Sequence, residues 1–306
     1  MAIDIEAARL LLLAAREGVS FKRCLTLGRQ HYYVGNRETR RALREAGYDP
    51  DKFPEIYQGE YGSRYAEPFF KILGAERVDS LDASPIENAT IVHDLNLPIP
   101  DELKNCFDVV YDGGTLEHVF NFPMAIKNAM EAVKPGGRLF LHTTGNNYFG
   151  HGFYQFSPEL FYRVLSDQNG YQVERFIAIE YGPRRRWFEV KDPQSIKTRT
   201  VAVGSFPTLL FIQAKRKQQS SVLVRCPLQS DYADISATVA HSAKSSAGFT
   251  LSPFLRRALL DSIPSFVRAV EAIWYSGLNR RYSFRNEGAF TPIVKSTLFA
   301  AARRRS

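Results

Sequence analysis

FDVVYDGGTLEHV, residues Phe107 to Val119, decides the fold. The nearly unbroken apolar run at its start is the pattern of a strand buried on both faces, as parallel strands are. Asp112-Gly113-Gly114 then turns the chain sharply toward a helix. The turn brings Asp112, Glu117 and His118 to the strand's carboxyl end, where open α/β sheets bind ligands.

Working outward, residues 121–133 have helical spacing and are closed by Lys134-Pro135-Gly136-Gly137, a strong stop. The spacing predicts a strand over 139–144 and a helix over 158–167, N-capped by Ser157 with Pro158 at its first position and Gly170 just past its end. Two further strands, 172–181 and 208–214, have no ordinary helix between them and so form a closing antiparallel pair. Upstream, strands are expected over 21–28, 76–82 and 89–95, and helices over 36–46 and 65–73, the last stopped by Gly74. Strand alternating with helix predicts parallel pairing with right-handed crossovers.

The chain has 306 residues, a net charge of +8 and a 44% hydrophobic fraction, enough for one sizeable α/β domain with an appendage. The charge permits an anionic partner without choosing one. Cys24, Cys106 and Cys226 are widely spaced and form no Cys/His ligand pattern, so neither a disulfide framework nor a zinc site follows, and the default compartment is the cytoplasm. The N-terminal segment MAIDIEAARLLLLAAREG reads as an amphipathic helix because Asp4 and Glu6 stand where a signal peptide is basic. No apolar run is long enough to span a membrane.

Residues 29–64 form an inserted cap, and 1–216 the main domain. Residues 217–250, polar and then Ser/Ala-rich, read as a flexible linker, and 251–306 as a helical extension. Apolar residues at helical spacing over 254–278 suit packing on the main domain, with a dimer contact or peripheral membrane contact as alternatives.

Among residues that carry chemistry, Asp82 and Asp94 end neighbouring strands. An ionised carboxylate is acceptor-only, so the first suits ribose hydroxyls and the second an exocyclic amine. Gly28 ends the first strand, but Arg29-Gln30-His31 supplies none of the further glycines that a close pyrophosphate contact needs, which argues against NAD or FAD. His118, His142 and His151 are candidate bases. Arg184, Arg185, Arg186 and Trp187 are placed in a loop over the acceptor entrance, where arginine suits a phosphate or carboxylate.

The motif series LTLG, VDSLDAS, IVHDLNLP, FDVVYDGGTLEHV, VKPGGRLFLHTT and FSPELFYRVLSDQNGY resembles class I S-adenosylmethionine-dependent methyltransferases over about residues 21–214. The resemblance implies a three-layer Rossmann-like sheet of seven strands, mostly parallel with an antiparallel last strand, plus the C-terminal helical appendage. It also implies S-adenosylmethionine as cofactor. Gly28 then faces the methionine part, Asp82 the ribose, Asp94 with Leu95 the adenine, and Asp112 with Gly113 the sulfonium and methyl. The first motif departs from the family at Thr26, Gln30 and Tyr32. No Asn-Pro-Pro-aromatic motif, no acid cluster for magnesium and no RNA-binding module is present. The expected activity is methyl transfer to a small-molecule or glycan-like acceptor at oxygen, with His151 and His118 as catalytic candidates and nucleic acid disfavoured. The alternatives are a non-catalytic methyltransferase-like module and an RNA methyltransferase.

Overall fold

The computed structural model describes residues 2–61, 64–232 and 283–303. Its main sheet is built on β2 (Arg23–Leu27), β4 (Arg77–Asp82), β5 (Ile91–Val92), β6 (Phe107–Asp112) and β7 (Val133–Asn146), with β8 (Tyr171–Glu180), β9 (Arg186–Val190), β10 (Thr208–Arg216) and β11 (Phe290–Ile293) continuing it. Their order across the sheet is β11-β9-β8-β10-β7-β6-β2-β4-β5. From β5 to β7 every pairing is parallel, and β10 lies antiparallel between β7 and β8. The chain runs outward from β2 to β5, then returns to lay β6 on the other side of β2. This reversal opens a crevice between the ends of β2 and β6, the place where such sheets take ligands.

Two strands exceed the expected seven. β9 forms a hairpin with β8, and β11 pairs with β9, so the segment expected to be an open arginine loop is partly sheet. Trp187 lies in β9 and is 1% exposed. It belongs to the core and not to an acceptor entrance.

Helices cover both faces. On one face lie α4 (Phe122–Ala132) and α5 (Pro158–Val164), whose Phe122, Ile126, Met130 and Phe161 pack with Val110, Leu139 and Leu141. As expected, the Ser157 side chain accepts from Glu159 N at 3.1 Å to cap α5. On the other face lie α1 (Ile5–Arg16), α2 (Asn36–Glu45) and α3 (Glu67–Ile72), packed with Val109, Tyr111 and Phe140. The N-terminal helix corrects the sequence reading. Nine of its twelve residues are buried, because helices pack around it and leave no wide polar face; a run apolar on nearly all sides belongs in a core.

Ahead of α1, β1 (Ala2–Ile3) pairs in parallel with β3 (His31–Tyr32) in a separate two-stranded sheet. The region read as a cap, 29–64, thus carries β3 and α2, and buried Arg64 ties it together by donating to the Asn36 side chain and to the carbonyls of Val34 and Ile56.

Residues 217–232 pack back on the domain: Val222 is 2% exposed and Ser230 Oγ donates to Glu159 at 3.0 Å. The remainder of the segment read as linker, 233–250, and the apolar stretch 254–278 lie outside the described residues. After them, Phe284 and Phe290 enter the core, and α7 (Lys295–Arg303), numbered after the short helix α6 (Pro193–Ile196), follows β11.

Candidate active site

The carboxyl edge of the sheet collects most of the sequence-derived candidates. Gly28 follows β2 with φ +68° and donates its N–H to Leu81 O at 2.7 Å. Asp82 is half-buried at the end of β4, and its Oδ1 accepts Ser84 N at 2.9 Å. Asp94 is exposed; its Oδ1 accepts the backbone and side-chain amides of Asn96, which hold its carboxyl below the usual range. Leu95 differs from its neighbour: its side chain is 5% exposed in the core and its carbonyl accepts from Asn128, so only its backbone is left to face an adenine.

Asp112 closes β6 completely buried, its Oδ1 accepting Thr115 N and Leu116 N at 2.9 and 3.3 Å. Its Oδ2 has no hydrogen-bond partner among the described residues. Burial, then the charge of nearby Glu117, pushes this carboxyl well above the usual range. Gly113 is packed on all sides. A Cβ there would stand 2.3 Å from Gln30 Oε1 and 3.1 Å from Ala2 O, and its own carbonyl accepts Ala2 N at 3.0 Å.

Gln30, 2% exposed, fills part of the space where glycines were expected, donating Nε2 to Leu27 O while its Oε1 finds no partner among the described residues. The fit to S-adenosylmethionine is therefore of two kinds. At the nucleoside end, Asp82 and Asp94 are accessible acceptors of the required chemistry. At the methionine end, Gln30 Oε1 and Asp112 Oδ2 are acceptors without a donor among the described residues, but both are buried away from the crevice surface.

Opposite, two loops close on each other. Leu116 to His118 form a short 3-10 turn, and Glu117 O accepts Phe153 N and Tyr154 N at 2.8 and 3.2 Å. Gly152, at φ +71°, allows this approach, since a Cβ would lie 2.8 Å from Glu117 O. Glu117 is 1% exposed; its Oε2 accepts from Thr143 Oγ1 at 2.9 Å, and its Oε1 lies 3.7 Å from His151 Nε2. The rings of His118 and His151 meet edge to face at 4.9 Å. Burial holds His118 below its ordinary value. Sequence reasoning named the two histidines separately and left Glu117 without a role; its place next to His118 was the available signal.

His142 is buried in β7 beside Phe211 and does not join the cluster. Two of the three arginines in the run form ion pairs: Arg186 with Glu180 at 2.5 Å and Arg185 with Glu6 at 3.6 Å.

Strand order, the antiparallel β10 and the carboxylates at the ends of β4 and β6 define a Rossmann-like nucleotide-binding domain of methyltransferase topology. A family model described as "Methyltransferase domain" matches residues 74–141, and this match supports a class I S-adenosylmethionine-dependent methyltransferase with S-adenosylmethionine as cofactor. It is 27% identical to the mitochondrial ubiquinone biosynthesis O-methyltransferase of Mus musculus, over 34% of this chain and 34% of that protein. The chain thus matches about a third of the length of this curated relative. Among solved structures, the YcgJ protein of Bacillus subtilis overlaps 70% of this chain and 100% of its own at 11% identity and a TM-score of 0.38. The 1,6-didemethyltoxoflavin-N1-methyltransferase of Burkholderia thailandensis, solved with its acceptor and S-adenosylhomocysteine, overlaps 70% and 78% at 14% identity and a TM-score of 0.35. No described helix is long and apolar enough to cross a membrane.

Proposed function

We propose that the chain transfers a methyl group from S-adenosylmethionine to an oxygen of a small-molecule acceptor. The observation that carries this reading is the meeting of two half-sites at one sheet edge. Asp82 and Asp94 stand on the nucleoside side and Glu117, His118 and His151 on the other, with the Asp112–Gly114 turn between them. The cofactor supplies an electrophilic methyl on a sulfonium. The chain's task is to hold the acceptor in line and exclude water.

The acceptor oxygen forms the new C–O bond, the C–S electron pair stays on sulfur, and the hydroxyl proton must leave. Burial keeps His118 neutral near pH 7 and so able to receive that proton. Phe120, Phe149 and Phe153, 74%, 99% and 66% exposed, flank the histidines in sequence. Such aromatic surface suits an aromatic or apolar acceptor better than a glycan. The mouse relative's name, an O-methyltransferase, supports the choice of oxygen. The cytoplasm remains the proposed compartment.

Calorimetry with S-adenosylmethionine and S-adenosylhomocysteine, followed by product detection over a panel of hydroxylated aromatics, tests the reading. Binding of neither compound removes the enzyme assignment. Binding without any product favours a non-catalytic module, and RNA binding that weakens steeply with salt favours the nucleic-acid alternative.

The pH profile follows from the direction of the His118 shift. A base is active when deprotonated, and this one loses its proton more readily than an ordinary histidine at 6.5. The value of kcat/KM is expected to rise from acid pH and level off with an apparent pKa below 6.5. An acid limb centred above that value contradicts the assignment.

A further inference from the structure

We infer that Glu117, His118 and His151 bind a first-row divalent transition-metal ion, held at the carboxyl edge with open positions for the acceptor's oxygen. The role in methyl transfer rests on the function proposed above; the binding itself does not.

One ligand atom from each of the three residues lies within 4.8 Å of the other two. Ligands about 2.1 Å from a tetrahedral ion stand roughly 3.4 Å apart, so the set must contract by about 1.4 Å at most. Glu117 Oε1 and His151 Nε2, at 3.7 Å, are already close to that spacing. Both histidines are exposed, whereas the carboxylate is buried and held by Thr143. Thr143 Oγ1, donating to Glu117 Oε2, is the kind of outer partner that aims a ligating carboxylate.

Charge gives a second, independent reason. Glu117 is 1% exposed, yet among the described residues its one ion-pair partner is His151. Buried carboxylates are ordinarily paired or bound to metal. Two imidazoles and one carboxylate suit zinc, manganese or iron, and are poorly matched to magnesium or calcium, which take oxygen ligands. Three protein ligands leave positions open, as at metal sites that bind substrate. A hydroxyl placed there loses its proton more easily; with the ion bound, His118 is a ligand and the proton passes to solvent, so the role of His118 as base belongs to the metal-free protein.

The test is titration of untagged, chelator-stripped full-length protein with Co²⁺, read by its visible absorption, and with Zn²⁺ in competition. Saturation at one ion per chain is expected, with the Kd raised at least 10-fold in His118→Ala and in His151→Ala. Both residues are exposed, so both variants are expected to fold, and unchanged melting of the stripped proteins verifies it. Thr143→Val should weaken binding by about 10-fold. Absence of saturable binding, or the same Kd in both histidine variants, overturns the inference. Methyl transfer that persists in excess chelator removes the metal's role and leaves the proposed function standing. Stoichiometric binding in a protein that transfers no methyl group does the reverse.

Discussion

Asp82→Ala is expected to weaken S-adenosylhomocysteine binding by on the order of 100-fold, with little change in the melting temperature of the ligand-free protein. A hydrogen bond to a charged acceptor contributes about 1.5–3 kcal/mol, and two ribose hydroxyls can reach one carboxylate. A loss near 3 kcal/mol corresponds to roughly two decades in Kd. Within the protein, Asp82 accepts Ser84 N at 2.9 Å in a turn. Losing that bond costs about 1 kcal/mol. Calorimetry beside thermal unfolding separates the roles: an intact Kd together with a lowered melting temperature makes Asp82 a turn cap and nothing more.

The prediction leans on a part of the chain that local sequence describes well. The strand ending in Asp82, the buried strand 107–112 and the cap at Ser157 are short-range features, set by apolar runs, glycines and a side chain bonding two residues on. Each needs only its own neighbourhood to form. The antiparallel closing pair was readable for a similar reason, since no crossover helix lies between its strands.

What escaped the sequence depends on distant partners. Arg184 to Trp187 read as a loop over the acceptor entrance because Glu6, which accepts the Trp187 indole N–H, lies 181 residues away, and because Glu180, six residues before Arg186, meets it only across the β8–β9 hairpin. β11 cannot be read from its own residues, because its strand character comes from pairing with β9. Gln30 gave a legible warning that the glycine motif was depleted. It did not reveal that its amide would fold back against Gly113, or that the chain's second residue would close the same turn from above. The pairing of His118 with His151 was equally hidden, since it depends on Gly152 letting two loops approach.

Glu6 is where these distant partners converge, and Glu6→Ala is expected to be the most destabilising exchange outside the ligand site. The residue is 2% exposed; its Oε2 accepts Trp187 Nε1 at 2.6 Å and Lys295 Nζ at 2.5 Å. Its Oε1 lies 3.4 Å from Arg9 and 3.6 Å from Arg185. One carboxylate therefore joins α1, β9 and α7. Alanine leaves the 1% exposed indole N–H without its acceptor and leaves half-buried Lys295 with its charge unanswered. Removing one member of such a buried pair costs about 3–5 kcal/mol; taking the lower figure because Lys295 retains its contact with the Trp187 ring at 4.5 Å, about 3 kcal/mol lowers the melting temperature by roughly 6–12 °C for a domain of this size. Glu6→Gln keeps an acceptor for the indole and should lose distinctly less. Because α1 follows the strand whose Ala2 N–H bonds Gly113 O, the alanine variant should also show faster amide exchange at Ala2 and weaker cofactor binding. A drop of under 2 °C in Glu6→Ala, or equal losses in the two variants, assigns the hub no more than surface ion-pair strength.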